Sequence, residues 1–129
     1  MIDWSKYPNF SAKEFACKHC GKGCIQPELL ETLQSIRTTL GKPLVISSGY
    51  RCPEHPAEKS KSNPGEHTKG WAVDIAIHGQ QALDLIFTAQ TFHVKRIGLN
   101  QKGDKSGRFV HIGIGDRYKD GFPVAIWTY

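Results

Sequence analysis

Apolar residues recur along this chain with two different periods, and the switch between them marks out its elements. Between Pro27 and Leu40, the residues Leu29, Leu30, Leu33, Ile36 and Leu40 share one side of a 3.6-residue repeat. That predicts an amphipathic helix with its stripe in the core, with Pro27 suited to the first turn and Gly41 to the stop. A second helical pattern covers roughly residues 80–92, with Leu83, Ile86 and Phe87 expected inward. Ser11-Ala12-Lys13-Glu14 has the form of a capping box and predicts a short helix through Ala16. Elsewhere the period is two. Residues 44–47 and 96–100 read as strands, and residues 108–115 form a hairpin with the latter across a polar turn at 101–107. Residues 124–127 are a candidate last strand. In the strand at 72–77, Val73, Ile75 and Ile77 face one way while Ala72, Asp74 and Ala76 face the other. In the strand at 108–115, Phe109, His111 and Gly113 share a face opposite Val110, Ile112 and Ile114. Residues 1–9 read as an irregular arm anchored by Trp4 and Tyr7. Residues 52–66, with three prolines and little periodicity, read as a surface loop long enough to suggest function. The expected fold class is α+β: a small antiparallel sheet with flanking helices, forming one domain over residues 1–129, with an arm and a cysteine-containing segment at 1–26.

Composition narrows this only a little. A chain of 129 residues with 39% hydrophobic and 22% charged positions is ordinary for a globular domain that buries its own core. A net charge of +5 and a pI near 9.1 favour encounters with polyanions, whether nucleic acid, anionic lipid head groups or bacterial wall polymers. The basic residues are scattered, which argues against a specific nucleic-acid interface. No apolar run approaches a membrane span, so no membrane insertion is expected. The segment Met1-Ile2-Asp3-Trp4-Ser5-Lys6 lacks the basic-then-apolar order of a secretory signal. The expectation is therefore synthesis in the cytoplasm and, for any action outside the cell, another route of exit. A monomer is expected.

Asp74 changes the picture most. A carboxylate in the middle of an apolar strand needs a partner, because burying an unpaired charge is costly. The alanines on either side leave room above it for a metal or a substrate. His67, seven positions earlier, and His111, on another predicted strand, are the imidazoles that could join it. Two histidines and one carboxylate, with the fourth position open, are a donor set for catalytic rather than structural zinc. A strand histidine taken alone is more often a satisfied core or surface residue. Cys17, Cys20 and Cys24 are spaced C-x2-C-x3-C, and Cys52 stands alone. These four are open to three readings: structural zinc, with Cys52 or His19 completing the set, disulfides, or free thiols.

The stretch His67-Thr68-Lys69-Gly70-Trp71-Ala72-Val73-Asp74 resembles the H-x-x-G-x-A-x-D motif of zinc-dependent peptidoglycan peptidases of the D-Ala-D-Ala carboxypeptidase type, which share the Hedgehog/DD-peptidase fold. Ser48-Gly49-Tyr50-Arg51 is similar to that family's S-G-Y-R segment, and Phe109-Val110-His111-Ile112 to its last-ligand strand. Asn9-Phe10-Ser11, Phe15-Ala16-Cys17 and Gly41-Lys42-Pro43-Leu44 are similar to the smaller phage and prophage branch. The resemblance thus runs in order along nearly the whole chain. It implies zinc held by His67, Asp74 and His111, with Arg51 beside it, its planar fork suited to a substrate carbonyl or carboxylate. It also implies peptidoglycan stem peptide as partner, cut either at D-Ala-D-Ala or at a bond such as L-Ala-D-Glu. The place of action is then the bacterial wall, after release by a pore-forming partner or from a virion.

Two positions depart from the family's pattern. Gly65 stands where the family usually has Ser. Relatives also place a carboxylate or a histidine near the last ligand as general base, whereas Arg108, Phe109 and Gly113 occupy the corresponding offsets here. Asp104 and Glu66 are the nearest candidates for that role, with Glu54 a further one. The missing base keeps a second reading in view, a zinc-containing module of the same fold that grips a peptide or partner without cutting it. A third is a small nucleic-acid binder acting through the basic surface and the cysteine cluster.

Overall fold

The longest apolar stripe in the chain becomes its longest helix. In the computed structural model, which describes residues 1–118 and 121–129, α2 spans Pro27–Leu40. Leu29, Leu30, Leu33 and Ile36 on its inner face are fully buried, and each contributes about 1.5–3 kcal/mol by leaving water. Gly41 ends the helix in the left-handed region at φ 66°, donating its N–H to the Arg37 carbonyl. The shorter α1, Ala12–Phe15, starts on the expected capping box, where the Glu14 carboxylate accepts from both the Ser11 N–H and its hydroxyl.

Helix α3, Gly79–Thr91, lies where the pattern placed a helix but shows a different face to the core. Ala82, Leu85, Thr88 and Ala89 are buried, while Leu83 and Phe87 are 62% and 74% exposed. The sequence carries two apolar stripes here. The small alanines flanking Leu85 let the helix approach α2 and the sheet closely, and the bulkier Leu83–Phe87 stripe is left outside.

Five strands, β1 (Val45–Ser48), β2 (Ala72–Ala76), β3 (Arg96–Asn100), β4 (Phe109–Gly113) and β5 (Ala125–Thr128), form one sheet in the order β1-β2-β4-β3-β5. The first four are antiparallel neighbours, as expected, but β5 runs parallel to β3, so the sheet is mixed. The cause is topological. Strand β4 ends at Gly113 opposite Arg96, the start of β3, and the following segment stays at that end, where Arg96 donates to the Pro123 carbonyl. A strand added from there can only run alongside β3. The α+β class stands, with a parallel edge added.

Val73, Ile75, Ile97, Val110 and Ile112 fill the core with the α2 and α3 stripes. The opposite face carries a cross-strand row of registered positions, Ser48, Asp74, His111, Gly98 and Trp127. The register slips between Ile46 and Ser48, and this irregularity aligns Ser48 with Asp74. Among the described residues, no helix is long and apolar enough to cross a membrane.

Candidate metal centre

Asp74 and His111 are direct cross-strand partners at the centre of the sheet, so their side chains rise side by side. His67 reaches the same spot from the turn that leads into β2. That turn depends on Gly70, whose φ is +77° and whose added Cβ would lie 2.0 Å from the Cys24 carbonyl oxygen. The seven-residue spacing of His67 and Asp74 is thus the length of one tight turn plus the first part of a strand.

The atoms meet closely. His67 Nε2 and His111 Nδ1 each lie 3.3 Å from Asp74 Oδ1, and one donor atom from each residue lies within 4.8 Å of the others. His67 Nε2, Asp74 Oδ1 and His111 Nδ1 are buried and have no hydrogen-bond partner. The far nitrogens explain why. His67 Nδ1 is 2.8 Å from the Gly49 carbonyl oxygen, which only accepts, so the neutral ring carries its proton there. His111 Nε2 is 2.8 Å from Glu66 Oε1, and the ionised carboxylate places the proton there by the same reasoning. Both inner nitrogens then present lone pairs toward a carboxylate oxygen. Three converging lone pairs in a buried site repel one another unless a cation sits among them. The residues therefore fit a divalent metal, and the donor set of two imidazoles and one carboxylate suits zinc.

The electrostatics agree. Burial alone would raise the Asp74 carboxyl, but contacts with His111 and His67 hold it far below the usual carboxylate range. Burial opposes charge on His111, yet Asp74 and Glu66 on its two sides raise its pKa above the ordinary histidine value. A proton and a metal ion compete for the same Nδ1 lone pair. Bound zinc is therefore expected to be retained at alkaline pH and lost progressively as the pH falls, the loss beginning above the ordinary histidine range. Equilibrium dialysis across that range checks this; occupancy independent of pH would count against His111 as a ligand.

Arg51 stands where the resemblance put it, beside the centre. Its Nη2 donates to Asp74 Oδ2 at 2.9 Å, its Nε to Ser48 Oγ at 3.1 Å, and its Nη1 to Glu58 Oε2 at 3.4 Å. Three of its five N–H groups are engaged by the chain itself, and two remain for a ligand. The S-G-Y-R segment thus carries several jobs at once. Gly49 supplies the acceptor for His67 and has no room for a side chain, since a Cβ there would lie 2.6 Å from the Phe15 backbone.

The two low-lying candidates for a base are not brought to the metal side. Asp104 is exposed and caps a 3-10 turn, accepting from the Ser106 N–H and hydroxyl. Glu66 is buried behind His111: it contacts the nitrogen facing away from Asp74, pairs with Arg96 Nε at 2.9 Å and accepts from the Gly115 N–H at 2.9 Å. Its geometry is that of a carboxylate orienting a ligand. Glu54 is exposed. The two departures noted in the sequence have steric counterparts. A Cβ on Gly113 would lie 2.2 Å from the Glu66 carboxylate, and one on Gly65 would lie 2.8 Å from Glu58 Oε1. Glu66 therefore fills the space that a side chain two positions after His111 would need.

Three residues at the centre escaped the sequence reading. Glu58 sits within the supposed surface loop yet is buried, binding Arg51, Lys61 and Thr68. Arg96 lies between the rings of Phe122 and Trp127, and strand alternation with Gly98 was its available signal. Trp127 closes the row, its ring centroid 4.9 Å from that of His111. It fits only because residue 98 is glycine: a Cβ there would lie 2.5 Å from the indole. Gly98→Ala is expected to destabilise the fold by about 1–3 kcal/mol through overpacking, with altered Trp fluorescence. Urea denaturation checks this, and a wild-type midpoint would show that the indole yields freely.

The histidines, Asp74 and Arg51 all lie within residues 8–113, the part of the chain that matches the family model for peptidase M15. Strand β5 with Trp127 lies beyond the match. No curated protein matches the chain.

Proposed function

We propose, for a chain that belongs to the peptidase M15 family, the zinc D-Ala-D-Ala carboxypeptidase-type family, hydrolysis of a peptide bond in bacterial peptidoglycan stem peptides. The observation that carries this reading is the convergence of three buried, unpartnered lone pairs beside an arginine with spare donors. His67 through Nε2, His111 through Nδ1 and Asp74 through Oδ1 would hold zinc. When bound, zinc supplies Lewis acidity toward the scissile carbonyl and a water with its pKa lowered to about 7.

The chain's own residues do the rest. Gly49 and Glu66 lock the two imidazole tautomers, so no ring flip is needed before the ligands engage. Arg51 keeps Asp74 Oδ2 occupied, which leaves Oδ1 for the metal, and its free N–H groups face developing oxyanion charge or a substrate carboxylate. Trp127, at the opposite end of the row from Ser48, offers an apolar wall for a small side chain such as alanine. The carboxylates in contact with the histidines are Asp74 and Glu66, and both are committed. Among the described residues, neither of these carboxylates is free to act as a general base, a role that supplies roughly 10²–10⁴-fold where it is filled. The bond is D-Ala-D-Ala or an endolysin-type bond such as L-Ala-D-Glu, and the place of action is the bacterial wall, reached after release or as a virion component. The net charge of +5 favours approach to that anionic polymer.

Among the described residues, no carboxylate other than Asp74 contacts the inner histidine nitrogens, which favours a second reading, a zinc-holding module that binds a wall peptide without cutting it. Mass spectrometry of muropeptides incubated with zinc-loaded protein separates the two. The peptidase reading expects new fragments with wild-type protein and none with His67→Ala; intact muropeptides alongside full zinc occupancy would leave the binding module.

A further inference from the structure

A second cluster of metal-ligating side chains lies outside the centre described above. One sulfur each from Cys17, Cys20 and Cys52 lies within 4.8 Å of the others. Cys17 and Cys52 are buried, and Cys20 is exposed. Two separate pieces of backbone build this cluster. Cys17-Lys18-His19-Cys20-Gly21 is folded into a tight turn: the Gly21 N–H bonds the Cys17 carbonyl at 2.7 Å, the Cys17 N–H bonds the Lys22 carbonyl at 2.7 Å, and Gly21 takes φ +79°. That turn sets both sulfurs on one side. Cys52 comes from the S-G-Y-R segment, held against α1 by the bond from the Tyr50 N–H to the Phe15 carbonyl at 2.9 Å. The Cys17 sulfur accepts the backbone N–H of Cys52 at 3.3 Å.

We propose that Cys17, Cys20 and Cys52 bind a structural zinc ion that fastens the N-terminal segment to the strand end carrying Gly49 and Arg51. Three mutually close sulfurs are more than one disulfide can use. Tetrahedral zinc, with Zn–S at about 2.3 Å, spaces its sulfurs about 3.8 Å apart, a spacing compatible with sulfurs that all lie within 4.8 Å of one another. Each thiol gives up its proton to solvent as the metal enters. The Cys52 N–H directed at Cys17 helps to disperse the charge of the resulting thiolate, as outer-shell donors do. Cys24 and His19, in the same segment, are the nearest candidates for the fourth position, with solvent the remaining one. The consequence for the first centre is direct: Cys52 follows Arg51, which holds Asp74, and Gly49 holds His67. Metal in the cysteine cluster therefore stiffens the support of the other site.

The test is metal content on the full chain, measured by mass spectrometry of the eluted metal, together with X-ray absorption at the zinc edge. Wild-type protein is expected to bind about two zinc equivalents, with a sulfur shell at about 2.3 Å. His67→Ala is expected to keep about one equivalent with an all the more sulfur-dominated shell, and Cys20→Ser to keep about one with the sulfur shell lost. Because Cys20 is exposed, that substitution leaves the fold in place; the wild-type absorption spectrum stands regardless of any variant. One equivalent with no sulfur shell in the wild type overturns the proposal. So does an unchanged shell in Cys20→Ser, or a disulfide among these residues in protein isolated without oxidant. None of these outcomes depends on peptidase activity.

Discussion

Asp74→Asn is expected to abolish zinc binding at the central site and to reduce any peptide-bond cleavage to background. The substitution keeps the shape of the side chain and removes only its charge. Asp74 Oδ1 is the atom that both histidine lone pairs face, at 3.3 Å each. With an amide there, the site offers two neutral imidazoles and loses the anion that balances a divalent ion. Arg51, which now neutralises Oδ2 at 2.9 Å, becomes an uncompensated positive charge beside the metal position, so the cation is repelled as well as less attracted. Isothermal titration with zinc, run beside the muropeptide assay, measures both effects. Retained stoichiometric zinc at this site in Asp74→Asn would mean that the ion is held elsewhere.

Glu66→Ala separates a positioning role from a catalytic one. Glu66 meets His111 at Nε2, on the side of the ring away from Asp74. Its removal frees the imidazole to rotate and to move its proton to Nδ1, the ligand atom. A loss of about 10–100-fold in zinc affinity is expected. Cleavage at saturating zinc should recover most of its wild-type rate, and Glu66→Gln, which keeps an acceptor for Nε2–H, should restore part of the affinity. A general base would behave oppositely: zinc affinity would stay near wild type while kcat fell about 10²–10⁴-fold at every zinc concentration. The alanine variant also removes the carboxylate partner of the half-buried Arg96 guanidinium, 2.9 Å away, and so lowers stability. Affinities should accordingly be measured well below its unfolding temperature.

The parts of this site that can be read from sequence are those written into short contiguous stretches. Strand alternation alone puts Asp74 between Ala72 and Ala76, and His111 between Phe109 and Gly113, each on the face opposite the aliphatic residues of its strand. The spacing from His67 to Asp74 is a turn and part of a strand, so it survives as a motif. The interior stripe of α2 is equally plain, because a single apolar face leaves no choice. Where two faces competed, the pattern misled: α3 has Leu83 and Phe87 on one side and Ala82, Leu85 and Ala89 on the other, and close packing favoured the small residues. The remaining misses are pairs made across the sheet or across a loop. Glu66 takes the volume above Gly113, Glu58 takes the volume beside Gly65, and Trp127 takes the volume above Gly98. In each case a glycine marks space filled by a distant side chain, and sequence shows the gap without showing what occupies it. The parallel β5 was hidden for a related reason, since its direction follows from where β4 ends relative to β3.

Anomalous diffraction at the zinc edge from zinc-loaded crystals tests the central claim most directly. The account predicts a peak at about 2.0–2.2 Å from His67 Nε2, His111 Nδ1 and Asp74 Oδ1, with Glu66 still on His111 Nε2. A zinc peak absent from that point, or one coordinated through His111 Nε2, would contradict it.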